Sequence, residues 1–302
     1  MPIERISIIT SERWTSLPPE FRRLGTSEHS ENQKRGRELD SFLEGPVWVP
    51  HLSRLFVTDI PYGRIFSINP ETAAWTLVLE YDGEPNGMAW NWHTKQVVIA
   101  DFKQGILSLD PQTGSLTTLV SRFHGERLKG PNDLTVSRDG SIFFTDQGMT
   151  GLHDPTGRVY RIHPDGRMGQ ILANGPSPNG LILSQDASTL FVAMTRDNSI
   201  WHMPFYKDGS VQRVGRFSSY YGIGGPDGMA LDEEGNVFVA HSTLGTVFVH
   251  RANGELLTQI KSPAGASTTN LTWGGESLSV LYIVESETAS ILRVQWHCRG
   301  CL

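Results

Sequence analysis

The sequence predicts an all-β fold, a six-bladed β-propeller with four-stranded blades. Three observations carry the prediction: a turn element that recurs six times, an apolar run at a fixed distance after each turn, and no long segment of helical period. The turns are Glu44-Gly45-Pro46, Pro85-Asn86-Gly87, Pro131-Asn132-Asp133, Pro178-Asn179-Gly180, Pro226-Asp227-Gly228 and Thr269-Asn270-Leu271. Counted between Glu44, Asn86, Asn132, Asn179, Asp227 and Asn270, they recur every 42 to 48 residues, which is the length of a propeller blade. At 302 residues, with 31 Gly and 17 Pro, the chain is long enough to bury a large core and rich in turn formers.

Taken in order, the blades begin near residues 42, 84, 130, 177, 225 and 268, within one propeller domain spanning 1–302. The apolar runs read as second strands and end 14 or 15 residues after each turn, at Asp59, Asp101, Asp146, Met194, His241 and Glu285. Third strands start at Gly63, Gly105, Gly157 and Gly245, and outer strands follow in blades one to five. The sixth repeat runs out of chain after Trp296, so an amino-terminal strand must close the ring, and residues 5–10 are the expected closer. Residues 27–37, rich in Ser, Glu, Asn, Lys and Arg, read as a solvated connection. Cys298 and Cys301 read as a solvated tail, since no second cysteine pair completes a zinc site.

A net charge of −6 with no basic run excludes nucleic acid as an expected partner. No apolar run approaches the roughly 18 residues of a membrane span. Glu4 and Arg5 interrupt the first ten residues, which do not form a secretory signal, so the expected location is cytoplasmic.

Inner strands of a propeller run along one channel, so equivalent turn residues form a ring at one level. That ring holds two carboxylates, Glu44 and Asp227, and four amides, Asn86, Asn132, Asn179 and Asn270. An all-oxygen donor set of this charge suits a hard divalent cation, Ca²⁺ first, with Mg²⁺, Mn²⁺ and Zn²⁺ as alternatives. Turn formation alone explains Asn or Asp at any one repeat, but not a Glu in register or two acids directed at one axis. The aspartates ending the second strands read as structural acceptors, whereas Met194, His241 and Glu285 break that pattern and are candidates for pocket contacts.

These residues resemble the senescence-marker-protein/gluconolactonase family, which includes regucalcin. The resemblance runs from Phe42 to about Trp296, through Glu44-Gly45-Pro46-Val47-Trp48, Gly130-Pro131-Asn132-Asp133-Leu134, Pro178-Asn179-Gly180-Leu181 and Pro226-Asp227-Gly228-Met229. Thr269-Asn270-Leu271 with Gly274-Gly275 is similar to the gluconolactonase branch. The resemblance implies Glu44, Asn132, Asn179 and Asp227 as metal ligands, with Asp227 doubling as catalytic acid/base. Gluconolactonases usually continue from the Thr-Asp pair with two prolines and a tyrosine. Here the chain reads Gln147-Gly148-Met149-Thr150, and the basic residue before the third-blade Asn is no closer than Lys129.

The expected chemistry is hydrolysis of a small lactone, with the carbonyl polarised by the metal and the water's proton taken by Asp227. Asn86 and Asn270 are the expected donors to substrate oxygens, with Lys129, Gln147 and His241 on the wall. Two alternatives share the metal: a lyase, isomerase or phosphotriesterase reaction, and a non-catalytic calcium-binding propeller.

Overall fold

The computed structural model describes residues 6–301. Among these, six antiparallel sheets succeed one another along the chain, and their inner strands are Leu43–Val49, Pro85–Asn91, Pro131–Val136, Pro178–Leu183, Pro226–Asp232 and Thr268–Gly274. Each sheet is an up-and-down meander from channel to rim, as in blade 1: Leu43–Val49, Arg54–Asp59, Arg64–Ile68 and Trp75–Glu80. The architecture is the six-bladed propeller that the repeat predicts.

The second and third strands of the blades are almost wholly buried and the outer strands are not. Runs such as Gln96–Asp101, QVVIAD, therefore show no polar alternation, because a middle strand has a neighbouring blade on each face. The core follows from this. Its six clusters each fill a gap between consecutive blades, for example Val47, Phe56 and Ile65 of blade 1 against Met88, Val97 and Leu107 of blade 2. The last cluster packs Tyr282 and Val284 of blade 6 against Trp48 and Phe66 of blade 1, closing the ring.

The closing strand differs from the expected one. Ser7–Thr10 runs parallel to the outer strand Leu256–Lys261 of blade 5, and Glu12–Ser16 pairs antiparallel with Ser290–Gln295 to complete blade 6. Arg5 of the expected strand lies outside the described residues. The reason is side-chain burial. Trp14 packs on Tyr282 with ring centroids 5.1 Å apart, Thr15 accepts a 3.0 Å hydrogen bond from Trp75 Nε1, and Leu17 enters the core between blades 6 and 1. Ser7–Thr10 is anchored more weakly: Ile9 packs partly buried against the core of blades 5 and 6 and Ser7 Oγ hydrogen-bonds Thr258 Oγ1 at 2.6 Å, while Ile8 is 65% exposed.

Two further segments depart from the sequence reading. Residues 27–37 are not merely a solvated connection: they contain the helix Glu28–Gln33, started by a reciprocal cap in which Ser27 and Ser30 each accept the other's backbone N–H. Its His29 and Ser30 are buried, and apolar periodicity gave no sign of it because the helix is short and polar. The carboxyl end is not a free tail either. Gly300–Cys301 pairs with Leu231–Asp232 at the far end of the blade 5 inner strand, and Gly300 lies so close to Trp273 that a Cβ would be 1.7 Å from its ring. A channel cavity of about 90 Å³ runs from Asp133 and Asn270 down to Cys301, so the carboxyl terminus covers one end. The fold also brings Glu234 beside His297 and Cys298, an exposed group remote from the ring.

Candidate active site

Every inner strand carries a one-residue β-bulge beside its turn. The pairing slips between Glu44 and Val47, Pro85 and Met88, Pro131 and Leu134, Pro178 and Leu181, Pro226 and Met229, and Thr268 and Asn270. A bulge breaks strand alternation and frees a backbone N–H from the ladder. Side chains take up those donors: Glu44 Oε2 accepts from Gly45 N at 2.7 Å, Asp133 Oδ1 from Leu134 N at 2.8 Å, and Asn270 Oδ1 from Leu271 N at 2.8 Å. The repeated bulge thus holds oxygen-bearing side chains at the rim of the channel.

Glu44, Asn179, Asp227 and Asn270 are buried there, as expected of a ring. The Asn270 amide donates to Glu44 Oε2 at 3.1 Å and to Asp133 Oδ2 at 3.3 Å, which joins blades 1, 3 and 6 across the axis. Asp133 is a ring carboxylate that the sequence reading did not single out. Beside a bulge, both Asn132 and Asp133 can serve the channel, whereas regular alternation predicts only one of them. Its space is made by Gly87, where a Cβ would lie 2.0 Å from Asp133 Oδ1.

Asn132 and Asn86 are half-buried. Asn132 donates to Gln147 Oε1 at 2.8 Å, and Gln147 in turn donates to Ser177 Oγ at 2.9 Å, so Gln147 orients a ring amide from the adjoining loop. Lys129 is turned to Thr156, whose hydroxyl accepts from its Nζ at 2.5 Å. His241 is fully buried beside Tyr220 and Phe248, neither ring nitrogen has a hydrogen-bond partner among the described residues, and burial pushes it down to about 4. Asp59, Asp101, Asp146 and also Glu285 accept loop N–H groups, so Glu285 shares the aspartates' structural role.

The electrostatics of the ring are severe. Burial, followed by repulsion from Glu44, pushes Asp133 up to about 8. Burial also raises Glu44, and Asp227 is raised by burial and then by Glu44 and Asp133. Glu44, Asp133 and Asp227 meet amid amides, and the positive field of Lys34 on Glu44 and Asp227 does not supply the full countercharge that their burial and mutual repulsion call for. The residues present fit a hard divalent cation, which would supply it.

Residues 42–287 match the family model described as the SMP-30/Gluconolactonase/LRE-like region. The chain belongs to that family. Among SMP-30/gluconolactonase relatives, it is 31% identical over 282 residues to a gluconolactonase of Zymomonas mobilis, covering 83% of this chain and 78% of the relative. It is 26% identical to a pentonolactonase of Haloferax volcanii, covering 80% of each. A calcium-binding regucalcin structure from Agrobacterium tumefaciens shares the fold, with a TM-score of 0.78 at 18% identity over 99% of this chain and 98% of that one.

Proposed function

We propose that this protein opens a small lactone, of the sugar-lactone type, to its hydroxy acid at one divalent metal ion, calcium first among the alternatives. The observation that carries the reading is the convergence of Glu44, Asp133 and Asp227 with ring amides at one end of the channel, in a family whose named relatives include a gluconolactonase and a pentonolactonase. Glu44, Asn132, Asn179 and Asp227 would hold the ion. When bound, it supplies Lewis-acid stabilisation of negative charge on the acyl oxygen.

The chain's own residues do the rest. Asp227 accepts a proton from the water that attacks the acyl carbon and returns it to the ring oxygen as the acyl C–O bond breaks, giving one carboxyl and one hydroxyl group. Asn86 and Asn270 donate to substrate oxygens, while Gln147 holds the Asn132 amide in place. Asp133 keeps Asn270 oriented through the shared amide contact. Lys129, whose Nζ donates to Thr156, and the buried His241 are assigned no part in proton transfer.

The test is a pH-stat assay over five- and six-membered aldonolactones, with calcium, magnesium, manganese or zinc restored after chelation. The expected result is acid release that stops with chelator and returns with a divalent ion. A protein that binds one ion per chain but opens none of these lactones, while turning over a phosphotriester or nothing, would replace the reading with one of its alternatives.

A further inference from the structure

The helix Glu28–Gln33 lies against blades 1 and 2 at the ring end of the channel, fastened by polar contacts. Glu28 pairs with Lys103 Nζ at 2.8 Å, Gln33 Nε2 donates to Glu84 Oε2 at 3.4 Å, and His29 Nδ1 lies 3.7 Å from the same carboxylate oxygen. Glu84 immediately precedes the Pro85-Asn86 turn of the ring. Lys34 caps this helix, and its ammonium sits 3.8 Å from the ring centroid of Phe42, two residues before Glu44.

The ammonium is half-buried and lies within the fields of Asp227 and Glu44, opposed by those of Arg196 and Arg37. Yet among the described residues it makes no ion pair within 4.0 Å and donates no hydrogen bond. Ordering and half-burying a lysine is unfavourable, and the cation–π contact with Phe42 and the fields of the ring acids offset this without satisfying its N–H groups. The result is a cation with three free N–H donors, fixed beside Phe42 and within the field of the ring carboxylates without pairing with them. Donors left free in this way suit an oxygen-rich ligand.

We propose that Lys34 is a substrate-binding residue whose ammonium donates to oxygen atoms of a polyhydroxylated lactone, and then to the carboxylate of the hydroxy-acid product, as they lie between the helix and the ring. The choice of lactone rests on the function proposed above. The product's carboxylate enters a site already holding Glu44, Asp133 and Asp227, so a positive group on its open side offsets repulsion that those acids impose. Segment 27–37 then forms the ring-side wall of the binding site.

The probe is gluconate, titrated calorimetrically into calcium-loaded protein. Lys34→Gln is expected to weaken its binding at least tenfold, and Lys34→Met, which keeps the stem over Phe42, to do the same. Lys34→Arg should retain part of the affinity, and KM for gluconolactone should rise about tenfold in Lys34→Gln with kcat within threefold. Calcium affinity in both neutral variants should be equal to or tighter than wild type, because a like charge is removed; weaker calcium binding assigns Lys34 a structural role and overturns the proposal. Undiminished gluconate binding in the variants, with lactone opening intact, overturns the proposal and leaves the function standing. Lys34-dependent gluconate binding without opening of any lactone does the reverse. A wild-type protein that binds no gluconate overturns the proposal outright.

Discussion

At the residue scale, Asp227 has two separable roles. As a ligand alone, its replacement by Asn weakens metal binding, and saturating calcium restores the rate. As ligand and proton acceptor, the loss persists at saturating metal by about 10²-fold or more, the usual contribution of a positioned proton-transfer group. Asn132→Ala is the contrast, since an amide accepts no proton from water and its loss should be largely recovered. Steady-state kinetics across a calcium titration checks both; equal recovery removes Asp227 as the base. Gly87 offers a second measurement. A Cβ there would lie 2.0 Å from Asp133 Oδ1 and 2.7 Å from Asp133 Cα, so relief requires backbone as well as side-chain movement. Gly87→Ala should lower calcium affinity at least tenfold in a protein with wild-type circular dichroism, and unchanged affinity would detach Asp133 from the site.

At the element scale, the two termini are not equivalent to what a count of strands suggests. Deleting residues through Thr10 removes an edge strand whose Ile8 is exposed, whereas deleting through Ser16 also removes the fourth strand of blade 6 with Trp14 and its contact to Tyr282. The second truncation should lower the melting temperature by about 10 °C or more beyond the first, because burial of a Trp side chain alone contributes a few kcal/mol. Removing the last five residues should also destabilise, since it takes away the Gly300–Cys301 pairing and uncovers Trp273 at the channel end. Thermal denaturation of the three truncations orders them; a last-five deletion without effect would return the carboxyl terminus to a free tail.

At the scale of the whole molecule, the ring carboxyls tie stability to pH and metal. Asp133 is raised from the ordinary 3.8 to about 8, so between those values it binds more protons in the folded chain than in the unfolded one. Stability from this group is therefore complete at low pH and is lost as pH rises through the folded value. His241 and His29, pushed down by burial, act with the opposite sign below about 6.5. The clean window is thus pH 6.5 to 8. There the metal-free melting temperature should fall, the gain on adding calcium should grow, and Asp133→Asn should flatten the metal-free slope. A metal-free melting temperature that is level across this window in wild type would mean that the ring acids ionise without penalty.

The sequence by itself determined the propeller, its six blades and the ring positions, because a repeat of 42–48 residues places one equivalent side chain per blade around a common axis. It also identified Glu44, Asn179, Asp227 and Asn270 as residues that meet there. Tertiary structure alone decided the rest. Asp133 joins the ring because a bulge suspends strand alternation, and a bulge is a pairing slip between two strands that neither strand displays alone. Glu12–Ser16 closes blade 6 in place of the earlier Ser7–Thr10 because Trp14 and Leu17 find their burial where blade 6 meets blade 1, a junction that exists only once the ring has closed. Lys34 reaches the mouth for the same kind of reason: its short polar helix has no apolar stripe to announce it, and its place is set by contacts to Glu84, Lys103 and Phe42, which come from other parts of the chain.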